Sequence, residues 1–159
     1  MVGQLAPDLL DLRGLFAAPW GGSGILWLPW WLRWVPKPRT FTFRSEILGS
    51  AGESWDVLDT MTYPDGSTWI RRMHCQVLPH GRMKLSAEDM PGGAEITPRH
   101  DGFDFSPYVI EAPILGPLRA RLRCCDVVRI EDGRMTDRIE LRFLGVRVGL
   151  MTMHLSQAA

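Results

Sequence analysis

The stretch LRCCDVVRIEDGRMTDRIELRF, residues 122–143, decides how this chain is read. Two alternating runs flank Asp132-Gly133. Such a pair marks a two-residue hairpin loop, because a type I′ turn needs positive φ at both central residues. That loop sets Glu131 opposite Arg134 and fixes every other pair. One face then carries Leu122, Cys124, Asp126, Val128 and Ile130 against Met135, Asp137, Ile139, Leu141 and Phe143. The other carries Arg121, Arg123, Arg129 and Glu131 against Arg134, Arg138, Glu140 and Arg142. The first reads as a core face and the second as a solvated one. Two carboxylates interrupt the core face. Asp126 opposite Ile139 and Asp137 opposite Val128 are diagonal neighbours, roughly 7–8 Å apart at Cα.

Similar signals recur upstream. Phe41, Phe43 and Ser45 alternate with Thr40, Thr42, Arg44 and Glu46. A hairpin turning at Asp65-Gly66, again taken as a two-residue loop, sets Trp55, Val57, Asp59, Met61 and Tyr63 opposite Gln76, His74, Arg72, Ile70 and Thr68. Asp59 then faces Arg72. Further turns fall at His80-Gly81 and Asp101-Gly102, Pro91-Gly92-Gly93 marks a bend, and Phe103 to Ile110 forms a strand. Val146, Val148, Leu150, Thr152 and His154 alternate in the last strand. Frequent glycine turns and little helix predict an all-β fold: an antiparallel up-and-down β-barrel of about eight to ten strands, a size that leaves room for one small ligand.

The 159 residues fit one domain, 1–159, with barrel strands over 40–155. A short N-terminal helix is expected within residues 1–17, over 6–16, with Pro7 in its first turn. Residues 25–38 hold four of the seven tryptophans. Two readings stand for this Trp-rich segment. It is a lid in which Trp30, Trp31 and Trp34 cover the barrel mouth, or an interfacial anchor that settles on a membrane surface.

Lysine plus arginine and aspartate plus glutamate both count 18, so no net charge points to nucleic acid. Three cysteines, Cys75, Cys124 and Cys125, make no disulfide framework and favour a reducing, cytoplasmic setting. The opening residues carry no secretory pattern, and no apolar run reaches the 18 or more that a spanning helix needs. No nucleophile elbow, phosphate loop or dinucleotide motif is present, which speaks against an enzyme of those classes. The four histidines lack metal spacing, so zinc is not expected.

The chemistry therefore rests on Asp126, Asp137, Asp59 and Arg72. An acid on an apolar face is costly unless paired, and burial raises its pKa. These four form either an internal ion network or polar contacts for a small, partly apolar ligand, with Trp20, Trp30 and Trp31 as apolar contacts. A catalytic acid–base pair is the lesser reading. His154 is either a core histidine or a haem ligand.

From Asp56 onward the chain resembles an uncharacterised bacterial family of small lipocalin-like proteins, many of them lipoproteins. The matching stretches are Asp65-Gly-Ser-Thr-Trp-Ile-Arg-Arg72, Ala87-Glu-Asp-Met-Pro-Gly-Gly-Ala94, Asp126, Asp137 and Phe143-Leu-Gly-Val-Arg-Val-Gly-Leu150. The lipidated cysteine of such lipoproteins has no counterpart near the start. Trp20-Gly-Gly-Ser-Gly24 and Phe41-Thr-Phe-Arg-Ser-Glu-Ile47 are similar to the nitrobindin branch of the calycins. That resemblance implies haem on a C-terminal histidine, where His154-Leu155 falls. Both imply a calycin barrel.

Overall fold

A computed structural model describes residues 9–36 and 38–158. After a short helix α1 (Leu12–Phe16), the chain runs through β1 (Trp20–Trp27), β2 (Thr40–Ala51), β3 (Ser54–Thr62), β4 (Thr68–Val77), β5 (Met83–Ala87) and β6 (Met90–Pro98). It continues through β7 (Gly102–Phe105), β8 (Tyr108–Leu115), β9 (Leu118–Glu131), β10 (Arg134–Phe143) and β11 (Val146–Gln157). All pairings are antiparallel. β7 and β8 lie in succession along the same side of β9, against 127–129 and 118–124, and so share one position. The eleven strands thus fill ten positions in chain order, and β11 pairs with β1 to close the barrel. The expected up-and-down barrel is found. Closure pairs every edge except along β8, which forms a ladder with β9 and meets the β5–β6 hairpin through single hydrogen bonds, Ser106 N–H to the Glu95 carbonyl and Glu111 N–H to that of Asp89.

The β9–β10 hairpin keeps the register read from its turn. Glu131 pairs with Arg134, Val128 with Asp137 and Asp126 with Ile139. Asp132 (φ 50°) and Gly133 (φ 73°) supply the two positive φ values a type I′ turn requires.

The β3–β4 hairpin corrects its expected register by one residue: Asp59 pairs with Arg71, not Arg72. The cause is Pro64. The Tyr63 N–H donates to the Ser67 carbonyl across a three-residue loop, Pro64-Asp65-Gly66, in which Gly66 has φ 82°. Proline presets the first turn residue, and glycine takes the left-handed position that follows a type I turn. The Asp65 carboxylate accepts from the Ser67 backbone N–H at 2.9 Å and locks the loop. Adding one residue to the loop turns every side chain of β4 to the opposite face.

One end of the barrel is plugged. Leu12 is buried, with Leu15 and Phe16 packed on the same core cluster. A helix leaves its last carbonyls without partners, and two indoles supply donors. Trp20 Nε1 donates to the Leu15 carbonyl at 2.8 Å, and Trp55 Nε1 to that of Phe16 at 3.2 Å. Trp20, expected among the ligand contacts, is therefore buried in this plug. Of the helix expected over 6–16, residues 6–8 with Pro7 lie outside the described residues. The observed helix begins only after Asp11.

Five connections emerge at the opposite end: residues 28–39, 63–67, 88–89, 116–117 and 144–145. In the first, a single 3₁₀ turn (Trp30–Leu32) follows Pro29. The Leu32 N–H donates to Pro29 and the Val35 N–H to Leu32. Residues three apart eclipse in such a turn. Pro29 is buried, Leu32 and Val35 are partly buried, and Trp30, Trp31 and Trp34 face out. Against the lid expectation, these three indoles are exposed.

Candidate functional site

A polar layer crosses the barrel between its two hydrophobic clusters. The larger cluster lies on the plug side and includes Trp55, Val57, Met73, Phe103 and Val128; the smaller holds Met90, Ala94, Tyr108, Cys124 and Leu141. The inward positions of β3, β9 and β10 bring in Asp59, Asp126 and Asp137, all three buried. Ser45, on the facing position of β2, hydrogen-bonds Asp59. Tyr108 donates its hydroxyl to Asp126 Oδ2 at 3.2 Å. An aromatic series connects this tyrosine to the plug, with ring centroids 5.9 Å apart for Phe105–Tyr108, 5.7 Å for Phe103–Phe105 and 5.4 Å for Phe16–Phe103.

The cation of the layer is Arg71. Its Nε and Nη2 both donate to Asp89 Oδ2, at 3.1 and 2.6 Å, and its guanidinium lies 4.4 Å from the Trp69 ring centroid. Arg72, expected to neutralise the internal acids, is instead on the outer wall with Asp56 and His74. Arg72 Nη2 lies 2.6 Å from Asp56 Oδ2, and His74 Nδ1 lies 2.8 Å from Oδ1. The one-residue extension of the turn at Pro64 accounts for that exchange.

Burial governs the acids' protonation. Desolvation pushes Asp59 up to about 6, against hydrogen bonding from Ser45 and the field of Arg71. Asp137 is also pushed to about 6 by burial, relieved by its hydrogen bond with Asp126. Asp126 is raised well above the usual carboxylate range, first by desolvation and then by the nearby Asp137 charge. Asp126 is thus the protonated partner and donates to Asp137, the arrangement expected of two close buried carboxyls. Burial and the adjacent Asp126 likewise raise Tyr108, keeping its proton in place. One oxygen each of Asp59, Asp89, Asp126 and Asp137 meets no hydrogen-bond donor among the described residues. Unmade hydrogen bonds at buried polar atoms are costly, so four in one layer call for an explanation.

Toward the end opposite the plug, the inward residues Phe43, Met61, Trp69, Arg71, Ile110, Ile139 and Met151 are only partly buried. Beside them Phe41, Met90, Ala94, Cys124 and Leu141 are buried, so the layer is packed on both sides and more loosely on the side away from the plug. Among the described residues, no three His, Cys, Asp or Glu side chains gather as a metal-binding group.

His154 lies outside the barrel, its Nδ1 3.3 Å from Thr136 Oγ1. Its alternation class does include Val146, Val148 and Leu150, but the inward residues of β11 are Gly149, Met151, Met153 and Leu155. A haem inside the barrel has no ligand in His154. Sequence reading also missed Asp89 and Tyr108. Asp89 sits in the β5–β6 turn, where no alternation assigns a face. Tyr108 begins a new strand after Ser106-Pro107, and that proline was the available signal.

Against known proteins, the chain matches no family model and no curated relative.

Proposed function

We propose that the barrel binds a small, partly apolar molecule in the more loosely packed half away from the plug, with hydrogen-bond donors of that molecule meeting the acids of the polar layer. The observation that supports this most is the set of unpartnered carboxylate oxygens on Asp59, Asp89, Asp126 and Asp137. Four acceptors with no donor suit a ligand that brings donors of its own. The surrounding Phe43, Met61, Trp69, Ile110 and Ile139 offer apolar contact, as ligand sites in barrel mouths do. A catalytic use of Asp126 and Asp137 is disfavoured by their mutual hydrogen bond, which leaves Asp126 as acid and Asp137 as its acceptor.

The short motifs named above, carried on a closed ten-position barrel, favour kinship with the lipocalin-like calycins. Three free cysteines, two of them buried, favour a reducing compartment such as the cytoplasm. Among the described residues, no helix is long and apolar enough to cross a membrane.

Organic extraction of the purified protein, followed by mass spectrometry, tests the ligand reading beside an Asp126→Asn/Asp137→Asn double variant. The wild type is expected to carry a small molecule in stoichiometric amount that the variant lacks. Equal content in both, or none in either, argues against the proposal.

A further inference from the structure

The end of the barrel opposite α1 presents apolar side chains that nothing among the described residues covers. Trp30 is 77% exposed, Trp34 69%, Trp31 42% and Leu144 88%. Trp27, Leu118, Phe143 and Val146 are exposed at the same end. They belong to neighbouring strands: β11 lies between β10 and β1, and β9 borders β10. Trp27 carries the guanidinium of Arg147, 5.7 Å from its ring centroid, which ties the Trp-rich segment to the β10–β11 turn. Isolated surface hydrophobics are ordinary, but a group of this size at one pole marks a contact surface.

Its charge says what kind. Residues 27–34, 118–119 and 142–147 contain Arg33, Arg119, Arg142 and Arg147 and no acid, although Arg142 is paired with Glu140 and the other turns at this end carry Asp65 and Glu88. Around the wall, arginines are paired with acids, as in Arg72–Asp56, Arg44–Glu46, Arg99–Asp104, Arg129–Asp104 and, at the edge of the pole, Arg142–Glu140. That leaves Arg33, Arg119 and Arg147 as the cations of the apolar pole. Indoles suit the boundary between headgroups and acyl chains, and arginines above that boundary meet phosphates. A second copy of the chain would bring the same arginines, Arg33, Arg119 and Arg147, against these, so self-association is disfavoured by like charge.

We propose that this pole docks on an anionic phospholipid surface. Trp30, Trp31, Trp34 and Leu144 enter the headgroup–acyl boundary while Arg33, Arg119 and Arg147 meet lipid phosphates. The barrel wall stays in water, and the more loosely packed half of the barrel faces the lipid. The inference stands whether or not the interior holds a ligand.

Vesicle co-sedimentation tests it, using phosphatidylcholine alone and phosphatidylcholine mixed with phosphatidylglycerol. The wild type is expected to sediment with the mixed vesicles, to release as salt rises, and to shift its tryptophan emission to the blue. A Trp30→Ala/Trp34→Ala/Leu144→Asn variant should lose about tenfold in partitioning. Asparagine tolerates the positive φ of 49° that Leu144 adopts, so the turn is retained. Quenching of wild-type emission by brominated acyl chains reports insertion without any substitution. A wild type that stays in the supernatant, a variant that binds equally well, or emission untouched by brominated lipid would overturn the proposal. So would sedimentation velocity showing a dimer that these substitutions dissolve, together with no vesicle binding, which would assign the patch to a second copy.

Discussion

Replacing Asp137 by Asn should stabilise the protein above pH 6 and leave it unchanged at low pH. In the folded chain Asp137 gives up its proton near pH 6, whereas its ordinary value is 3.8. The folded state therefore binds more protons than the unfolded state between these values. Its stability falls as pH rises from 3.8 to about 6 and is level above that. The gap, 6 less 3.8, is about 2.2, and at 1.36 kcal/mol for each step this is a penalty of about 3 kcal/mol. Asparagine carries no charge to desolvate, and its carbonyl can still accept from Asp126. Guanidinium denaturation at pH 8 and pH 3.5 measures the difference. At pH 8 the variant should be more stable by up to about 3 kcal/mol with an unchanged denaturant slope, and at pH 3.5 the two should coincide. A variant that is less stable at pH 8 by about 3–5 kcal/mol would refute the reasoning, because that is the cost of breaking a buried ion pair.

Three further outcomes follow from the same structure. Hemin should give the same absorption spectrum with wild type and with His154→Ala, since that imidazole lies outside the barrel; a Soret band lost only in the variant would contradict this. Burial pushes Cys75 and Cys124 up to about 12, so a disulfide reagent at neutral pH should titrate Cys125 alone until denaturant is added. Gly24→Ala should cost about 1–3 kcal/mol in a thermal or chemical melt, because its Cβ would lie 2.2 Å from Phe41 Cζ.

Turn chemistry decided which parts of this fold could be read from sequence. Asp132-Gly133 specifies a two-residue loop by itself, so the inward placement of Asp126 and Asp137 followed from local residues. Asp65-Gly66 carries the same pair, but Pro64 before it lengthens the loop by one and exchanges Arg72 for Arg71. That single residue separates a neutralised acid cluster from one whose only described guanidinium is held by Asp89. Asp59 kept its inward place because β3, on the near side of the turn, is unaffected by loop length.

The last strand shows a different limit. Both alternation classes of β11 hold apolar residues, so periodicity alone could not tell Leu150 and His154 from Met151 and Leu155. The β10–β11 ladder also shifts register at Leu141/Arg142, which no residue pattern announces. The Trp-rich segment turns its indoles outward for a local reason. Its 3₁₀ turn repeats every three residues, so Pro29, Leu32 and Val35 take the inner side and the indoles are left outside.

Titration with 1-aminoanthracene, a small apolar molecule with an amine donor, tests the central claim most directly. The wild type should saturate with one probe per chain and raise its emission, while Asp126→Asn/Asp137→Asn should bind it markedly less with its melting temperature maintained. No saturable emission change in the wild type, or equal affinity in the two proteins, would contradict a ligand site built on these acids.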